Sequence, residues 1–394
     1  MEESDEIQQA NEVFFALRKS PTRAKCDEIA LSMLQGVSVR CVDTPGTMSY
    51  TVIVTNAYGR QDVVSFRDEG SGLYAKAIPL ARAIYNELVP EPKCHDIVPG
   101  SGPPLFIYTM PYMRGVAASK VLCTQADMTP EDEAKHTRYV RDLARYVAIE
   151  WLAKHGGLIP MSRLTLLLLR HRYFGRGWNL AMTHDCSQSK RKLRQTRKVL
   201  RIRVRKLLNK KRYPNSVPRA TADQLEAHVE RLFDGYEQVV THGDLVPNNI
   251  LVDEETFAIT GIVDWSLATV HPFGMDLYAM FLAMGYADES GWHYYTCRPR
   301  LQSAFWEEFF MVTEVQPSAR QAFLRKVEAA AALGAALRFA FQRNTDGSAS
   351  PNEEKSVYLK GWYGEFYGIE QVNDGSQGAR EGLIERSLRK LLGG

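Results

Sequence analysis

An aspartate at 244, an asparagine five residues later at 249 and an aspartate fifteen further on at 264 punctuate the segment from Val239 to Tyr278. Between Asn249 and Asp264 run the apolar triplet Ile250-Leu-Val252, the polar turn Asp253-Glu-Glu-Thr256 and the run Ala258-Ile-Thr-Gly-Ile-Val263. That pattern predicts a hairpin of two short strands. A hairpin returns the chain, so it brings Asn249 at its entry beside Asp264 at its exit. An amide oxygen next to a carboxylate is the hard oxygen pair that magnesium prefers. Asp244, on the loop just before, is placed to meet a substrate hydroxyl at the same point.

This is the equipment of phosphoryl transfer, which needs a metal to neutralise phosphate charge and a carboxylate to orient the incoming hydroxyl or take its proton. Pro247 stiffens the loop carrying Asp244, and His242 is placed to fix its backbone. No one of these residues is specific by itself. The spacing H-x-D-x-x-x-x-N, followed by an apolar triplet, a turn and an apolar run ending in aspartate, is far more so.

The elements that must hold this segment follow from the rest of the chain. An opening helix is expected over the first 19 residues, with Ile7, Phe14, Phe15 and Leu17 on its apolar side. From Val37 the texture changes to short β-branched runs between turns: Ser49 to Thr55, Val63 to Phe66, and Pro104 to Met110, with a helix from Leu73 to Leu88 among them. Beyond Gly115 helices dominate. Thr129-Pro-Glu-Asp-Glu starts one, Leu225 to Tyr236 forms another, and Gln302 to Arg338 holds two more. The expected architecture is therefore α+β and two-lobed. It comprises a helical extension (1–36), a small β-rich lobe (37–112) and a larger helical lobe (113–394), with a cleft between the lobes.

Composition sets the frame. The chain has 394 residues, 45% hydrophobic and 24% charged, with a net charge of +3. Such numbers suit a globular enzyme. The acidic start Met1-Glu-Glu-Ser-Asp-Glu is no secretory signal, and no apolar run approaches the roughly 18 residues of a membrane span. Six cysteines lie scattered without CxxC spacing, which argues against a zinc cage and suits a reducing cytoplasm. Thirteen Lys and Arg residues crowd positions 190–212 without a single acid, leaving the remainder near −10. This basic insertion, spanning about 186–216, reads as a solvated face, or as a surface for an acidic partner such as nucleic acid or an anionic membrane.

At the 239–278 segment the chain resembles the aminoglycoside phosphotransferase and choline kinase group, relatives of the protein kinases, and in detail its fungal members of unknown substrate. The resemblance rests on His242-Gly-Asp-x-x-x-x-Asn-Ile-Leu-Val and on Ile262-Val-Asp-Trp265. It implies an ATP- and magnesium-dependent transfer of phosphate to a small-molecule hydroxyl, with Asp244 as catalytic base and Asn249 and Asp264 as metal ligands. Asp276, in Gly-Met-Asp-Leu-Tyr, would tie down the catalytic loop, with a helix cap as the plainer reading. Adenine would be gripped at the hinge near Thr109, Met110 and Tyr112, and the turn ending at Ser49 would cover the phosphates. The family's phosphate-gripping lysine is missing from the Val63–Phe66 strand, where Arg67 is the nearest cation. Its partner glutamate is missing from the following helix. A kinase-like protein used for binding or regulation is the alternative. For the acceptor, Trp292, Tyr294, Tyr295, Trp306, Glu307 and Glu308 are candidates, or else helix core and surface.

Overall fold

The computed structural model describes residues 5–16, 21–43, 45–46, 49–68, 73, 77–98, 104–155, 202, 205, 219–233, 236–343, 349–355 and 358–359. The basic run 190–212 thus lies outside the described residues, apart from Ile202 and Arg205.

Five antiparallel strands build the first sheet: β1 (Gly36–Cys41), β2 (Ser49–Asn56), β3 (Gln61–Asp68), β4 (Lys93–Ile97) and β5 (Leu105–Pro111), in the order β1-β2-β3-β5-β4. Alternation along the strands gives the sheet two different faces. Tyr50, Val52 and Val54 of β2, Val64 and Phe66 of β3, and Leu105 and Ile107 of β5 form an apolar cluster with Phe14, Cys26 and Ala30. Those last three belong to the helices α1 (Asp5–Ala16) and α2 (Arg23–Leu34), which cover that face. The expected opening helix is present over the described residues Asp5–Ala16, and α2 follows it, capped by the Thr22 hydroxyl accepting from the Lys25 N–H. The alternate positions Ser49, Thr51, Ser65 and Arg67 are polar, and the Thr51 and Ser65 hydroxyls meet across the strands at 2.8 Å. One step along β3 from Phe66 therefore puts Arg67 on the opposite side of the sheet.

From β5 the chain crosses to the second core through Pro111 and the short strand β6 (Val116–Ala117), which pairs with β8 (Ile250–Val252). Gly115 makes this crossing at φ +116°, where a Cβ would lie 2.6 Å from the Val252 carbonyl oxygen. The Thr260 hydroxyl donates to the Arg114 carbonyl at 2.6 Å, so the crossover is pinned to the hairpin that follows Asn249.

The larger lobe is organised by α4 (Pro130–His155), started by Thr129, whose hydroxyl accepts from the Asp132 N–H. It packs on α7 (Arg298–Thr313), and Arg145 ties them by donating to Asp142 and Glu308, each at 2.6 Å. Asp142 also accepts from the Ile259 N–H at 3.1 Å, joining α4 to the hairpin of β8 and β9 (Ile259–Ile262). α3 (Ala77–Tyr85) belongs to this larger core: Tyr85 stacks on Tyr146 of α4 at 4.3 Å. α8 (Pro317–Phe339) closes the lobe behind the Asp276 turn, so tightly that Gly334 could not carry a Cβ against the Met275 backbone. Trp306 lies in this core among Phe305, Phe309 and Phe310, and Glu308 is spent on Arg145, so neither lines a substrate pocket. Among the described residues no helix is long and apolar enough to cross a membrane.

Candidate active site

The predicted hairpin forms, with Ile250 opposite Ile262 and Leu251 opposite Gly261. One residue beyond this register, the Val263 N–H donates to the Asn249 carbonyl at 2.9 Å, which sets Asn249 beside Asp264. The Asn249 side-chain amide donates to the Asp244 carbonyl at 2.8 Å, drawing the three residues onto one patch of backbone. That bond fixes the amide nitrogen and leaves the amide oxygen as an available acceptor.

Each neighbour on the loop has a definable task. His242 is fully buried; its Nε2 meets the Val263 carbonyl at 2.9 Å, and its ring packs edge-on against Trp265. Gly243 sits at φ +78°, with the Leu267 carbonyl 2.7 Å from where a Cβ would stand, so only glycine fits this turn. Asp276, 3% exposed, accepts from the His242 N–H at 2.5 Å and the Gly243 N–H at 3.2 Å. It therefore clamps the catalytic loop rather than capping a helix by its side chain, since the short helical turn it opens has no such bond. Tyr278, buried behind it, accepts from the Leu245 N–H at 2.8 Å through its hydroxyl. Burial pushes the Asp276 carboxyl up, only partly offset by the His242 charge and the two amides.

Asp264 occupies the left-handed region at φ 58°, a conformation aspartate tolerates better than most residues. Arg67 reaches across the cleft from the small lobe, and both its Nη atoms stand 3.3 Å from Asp264 Oδ1. Its Nε donates to Ser65 at 3.0 Å. Burial would raise the Asp264 carboxyl, but the Arg67 guanidinium, the Ser266 hydroxyl and His242 outweigh it and hold it below the usual range. The cation nearest the expected lysine position is thus aimed at Asp264. Glu87 is exposed, and among the described residues Arg67 pairs with Asp264 and Ser65.

Ser49 is cross-strand neighbour to Arg67 and buried. The turn before it lies only partly within the described residues, with Thr44, Thr47 and Met48 outside them. Thr109 spends its hydroxyl on the His95 ring at 2.8 Å, Met110 pairs opposite Val63, and Tyr112 opens the crossover. Pro111 has no N–H, so a backbone donor for a ligand at this edge must come from a neighbour such as Tyr112.

Sequence reasoning missed the residue nearest to the chemistry. Arg338, in the last turn of α8, places its Nε 2.5 Å from Asp244 Oδ1. Both side chains are about one-fifth exposed. Nothing in an alanine-rich helix 94 residues downstream marks it.

A buried histidine–aspartate loop, a hairpin carrying Asn249 and Asp264, and a sheet presenting a cation across a cleft define a kinase-like phosphotransferase. The chain matches the phosphotransferase enzyme family, APH, over residues 58–309, and it belongs to that family. An aminoglycoside 3'-phosphotransferase of Streptomyces ribosidificus is 45% identical over 76 residues, 18% of this chain and 27% of that relative. The chain thus spans about a quarter of the length of the curated relative it matches. Among solved structures, an aminoglycoside-3'-phosphotransferase of type VIII is similar at 16% identity, covering 77% of this chain and 98% of the other at a TM-score of 0.41. Amicoumacin kinase hAmiN, in complex with AMP-PNP, Ca2+ and Ami, is similar at 12% identity, covering 87% and 94% at a TM-score of 0.45.

Proposed function

We propose that the protein transfers the γ-phosphate of ATP to a hydroxyl of a small molecule, with magnesium at Asn249 and Asp264. The observation that carries this reading is the convergence of Asp244, Asn249 and Asp264 through the 2.8 Å and 2.9 Å bonds of the loop and hairpin. Family membership supports it.

The donor set fits the metal: one amide oxygen and one carboxylate kept ionised by its surroundings, both partly exposed. When bound there, magnesium neutralises charge on the phosphates. The chain's own residues do the rest. Residues 37–112 hold the nucleotide, with the edge near Met110 and Tyr112 against the base and Ser49 and Arg67 toward the phosphates. Asp244 orients the acceptor hydroxyl and receives its proton as the oxygen bonds to phosphorus and ADP departs. Asp276 and Tyr278 hold the backbone under Asp244, so its carboxylate does not wander from the acceptor. Cys26, Cys41, Cys94, Cys123 and Cys297 are in the thiol form, which suits a reducing cytoplasm.

A second reading is a kinase-shaped binding protein. It is favoured by the Arg67–Asp264 pair, which engages one oxygen of the carboxylate a metal would use. Calorimetry separates the two. On the phosphotransferase reading, ATP binds only with magnesium present, and Asp264→Ala abolishes the metal dependence. Asp244→Asn keeps nucleotide affinity while turnover falls by about 10²–10⁴-fold. Nucleotide binding indifferent to both magnesium and Asp264, or none at millimolar ATP, would leave the binding-protein reading standing.

A further inference from the structure

The acceptor side of the cleft is built around Asp244, and its charge is unlike that of a site for polycations. Arg338 Nε lies on the Asp244 carboxylate, while the rest of the guanidinium fork carries further N–H donors. Lys355 lies in the exposed turn after β14 (Ala349–Pro351), which is seated beside the end of α8: the Asn352 N–H donates to the Ala340 carbonyl at 2.8 Å and the Lys355 N–H to the Asn352 side-chain oxygen at 2.9 Å; partial burial and then the Arg338 charge lower its ammonium. The acids on that turn, Glu353 and Glu354, are exposed, and Glu354 favours the Lys355 charge.

Aromatic rings continue from this point as a wall. Tyr278, whose hydroxyl holds the Leu245 N–H, meets Phe339 at 5.7 Å, and Phe339 meets Tyr358 at 5.2 Å. Tyr358 contacts Trp292 at 5.7 Å, and Trp292 contacts Tyr294 at 6.0 Å. Trp292, Tyr294 and Tyr358 are only half-buried, so the wall keeps faces toward solvent. At its far end Arg298 lies 3.8 Å over the Tyr294 ring. A cationic acceptor reaching Asp244 would meet Arg338 already on the carboxylate and Lys355 beside it. It would have to displace one cation and sit against another. An anion meets the reverse situation: two cations within reach, one of them a planar fork shaped for carboxylate or phosphate.

We propose that the acceptor is a hydroxyl compound bearing a carboxylate or phosphate, gripped by Arg338 and Lys355 with its apolar part against the Trp292–Tyr358 wall. This rests on the phosphotransferase reading of the same cleft. Arg338 then has two partners in sequence: it pairs with Asp244 in the free protein, and turns its remaining donors to the acceptor anion when the hydroxyl arrives.

The test is a panel matched for the hydroxyl and varied only in charge: 4-(hydroxymethyl)benzoate, its amide and the corresponding benzylamine, together with gluconate, glucose and glucosamine. ADP release is measured with magnesium ATP for the full chain. The expected result is at least about a tenfold higher kcat/KM for the anionic members, equivalent to about 1.4 kcal/mol. Lys355→Gln, on an exposed turn that does not endanger folding, raises KM for the anion while kcat holds, and Arg338→Gln lowers both kcat and affinity. Preference for a neutral or cationic member, or a flat response including none at all, overturns the proposal. Magnesium-dependent nucleotide binding, measured on the same samples, keeps the two failures apart. If it persists, only the acceptor assignment falls; if it is absent, the phosphotransferase reading falls with it.

Discussion

Replacing Asp276 with alanine tests whether the catalytic loop is held from beneath. The carboxylate accepts two backbone N–H bonds, from His242 and Gly243, in a place 3% exposed. Hydrogen bonds to charged groups contribute about 1.5–3 kcal/mol each, and alanine would also leave two donors without their acceptor in a dry site. Two such bonds set a range of about 3–6 kcal/mol. Burial works against the charge, as the raised Asp276 carboxyl indicates, so the lower end, about 3 kcal/mol, is the expected loss. That is a large share of the 5–15 kcal/mol, roughly, by which domains are stable. Asp276→Asn retains one acceptor oxygen and loses about half as much. The assay is urea unfolding followed by tryptophan fluorescence, reporting on Trp265, which packs against His242. With a slope of about 3 kcal/mol/M the midpoint falls by about 1 M for alanine and about half that for asparagine. An unchanged midpoint for Asp276→Ala would refute the clamp.

Two further perturbations follow from the same geometry. Arg67→Ala removes the cation facing Asp264 and Ser65, and is expected to weaken magnesium–ATP binding at least about tenfold by calorimetry, with Arg67→Lys recovering part of it; unchanged affinity in the alanine variant would exclude Arg67 from the nucleotide site. Glu150 is buried, its Oε1 has no hydrogen-bond partner among the described residues, and burial followed by the Asp276 charge raises its carboxyl well above normal. A raised acid favours the fold below its unfolded value of about 4.5, and that contribution is lost as pH rises toward the folded value. Glu150→Gln, which stays neutral throughout, therefore raises the urea midpoint at pH 8 and gives no gain near pH 4; a gain equal at both would contradict the assignment.

What the sequence disclosed depended on how locally each feature is encoded. The β8–β9 hairpin was legible because its apolar runs and polar turn sit within thirteen contiguous residues, and the register follows from the turn. Arg67 could be singled out as the cation nearest the strand where the resemblance expects a lysine, and alternation along β3 then decides its face. The second opening helix was not visible. Its buried side is only Cys26 and Ala30, too narrow a stripe to show periodicity, and its stability comes from the sheet it covers. Arg338 was out of reach for a different reason. Its partner lies 94 residues away, and the approach exists only once α8 has packed against the Asp276 turn, with Gly334 admitting the Met275 backbone. The aromatics offered for the acceptor divided likewise: Trp306 went to the core, while Trp292 and Tyr294 stayed half-buried. Tertiary packing decides that, and composition does not.

The two arginines also explain how three aspartates share one small region. Asp244 is near enough to Asp276 that its charge adds to the cost of ionising Asp276. Asp276 is answered by backbone amides, and each of the other two by a guanidinium from a different part of the chain: Arg67 from the sheet and Arg338 from the last long helix. On the proposed function, nucleotide and metal would come in against Arg67 and Asp264, and the acceptor against Arg338 and Asp244. On that reading a phosphate offers Arg67 a replacement for the carboxylate it releases, and an anionic acceptor takes the donors that Arg338 has left, so ligand binding forms new ion pairs rather than exposing a bare charge. Because the two pairs have no partner in common, loss of Arg67 falls on nucleotide affinity and loss of Arg338 on the acceptor. The same exchange accounts for a cleft that is neutralised when free and still able to gather two charged substrates.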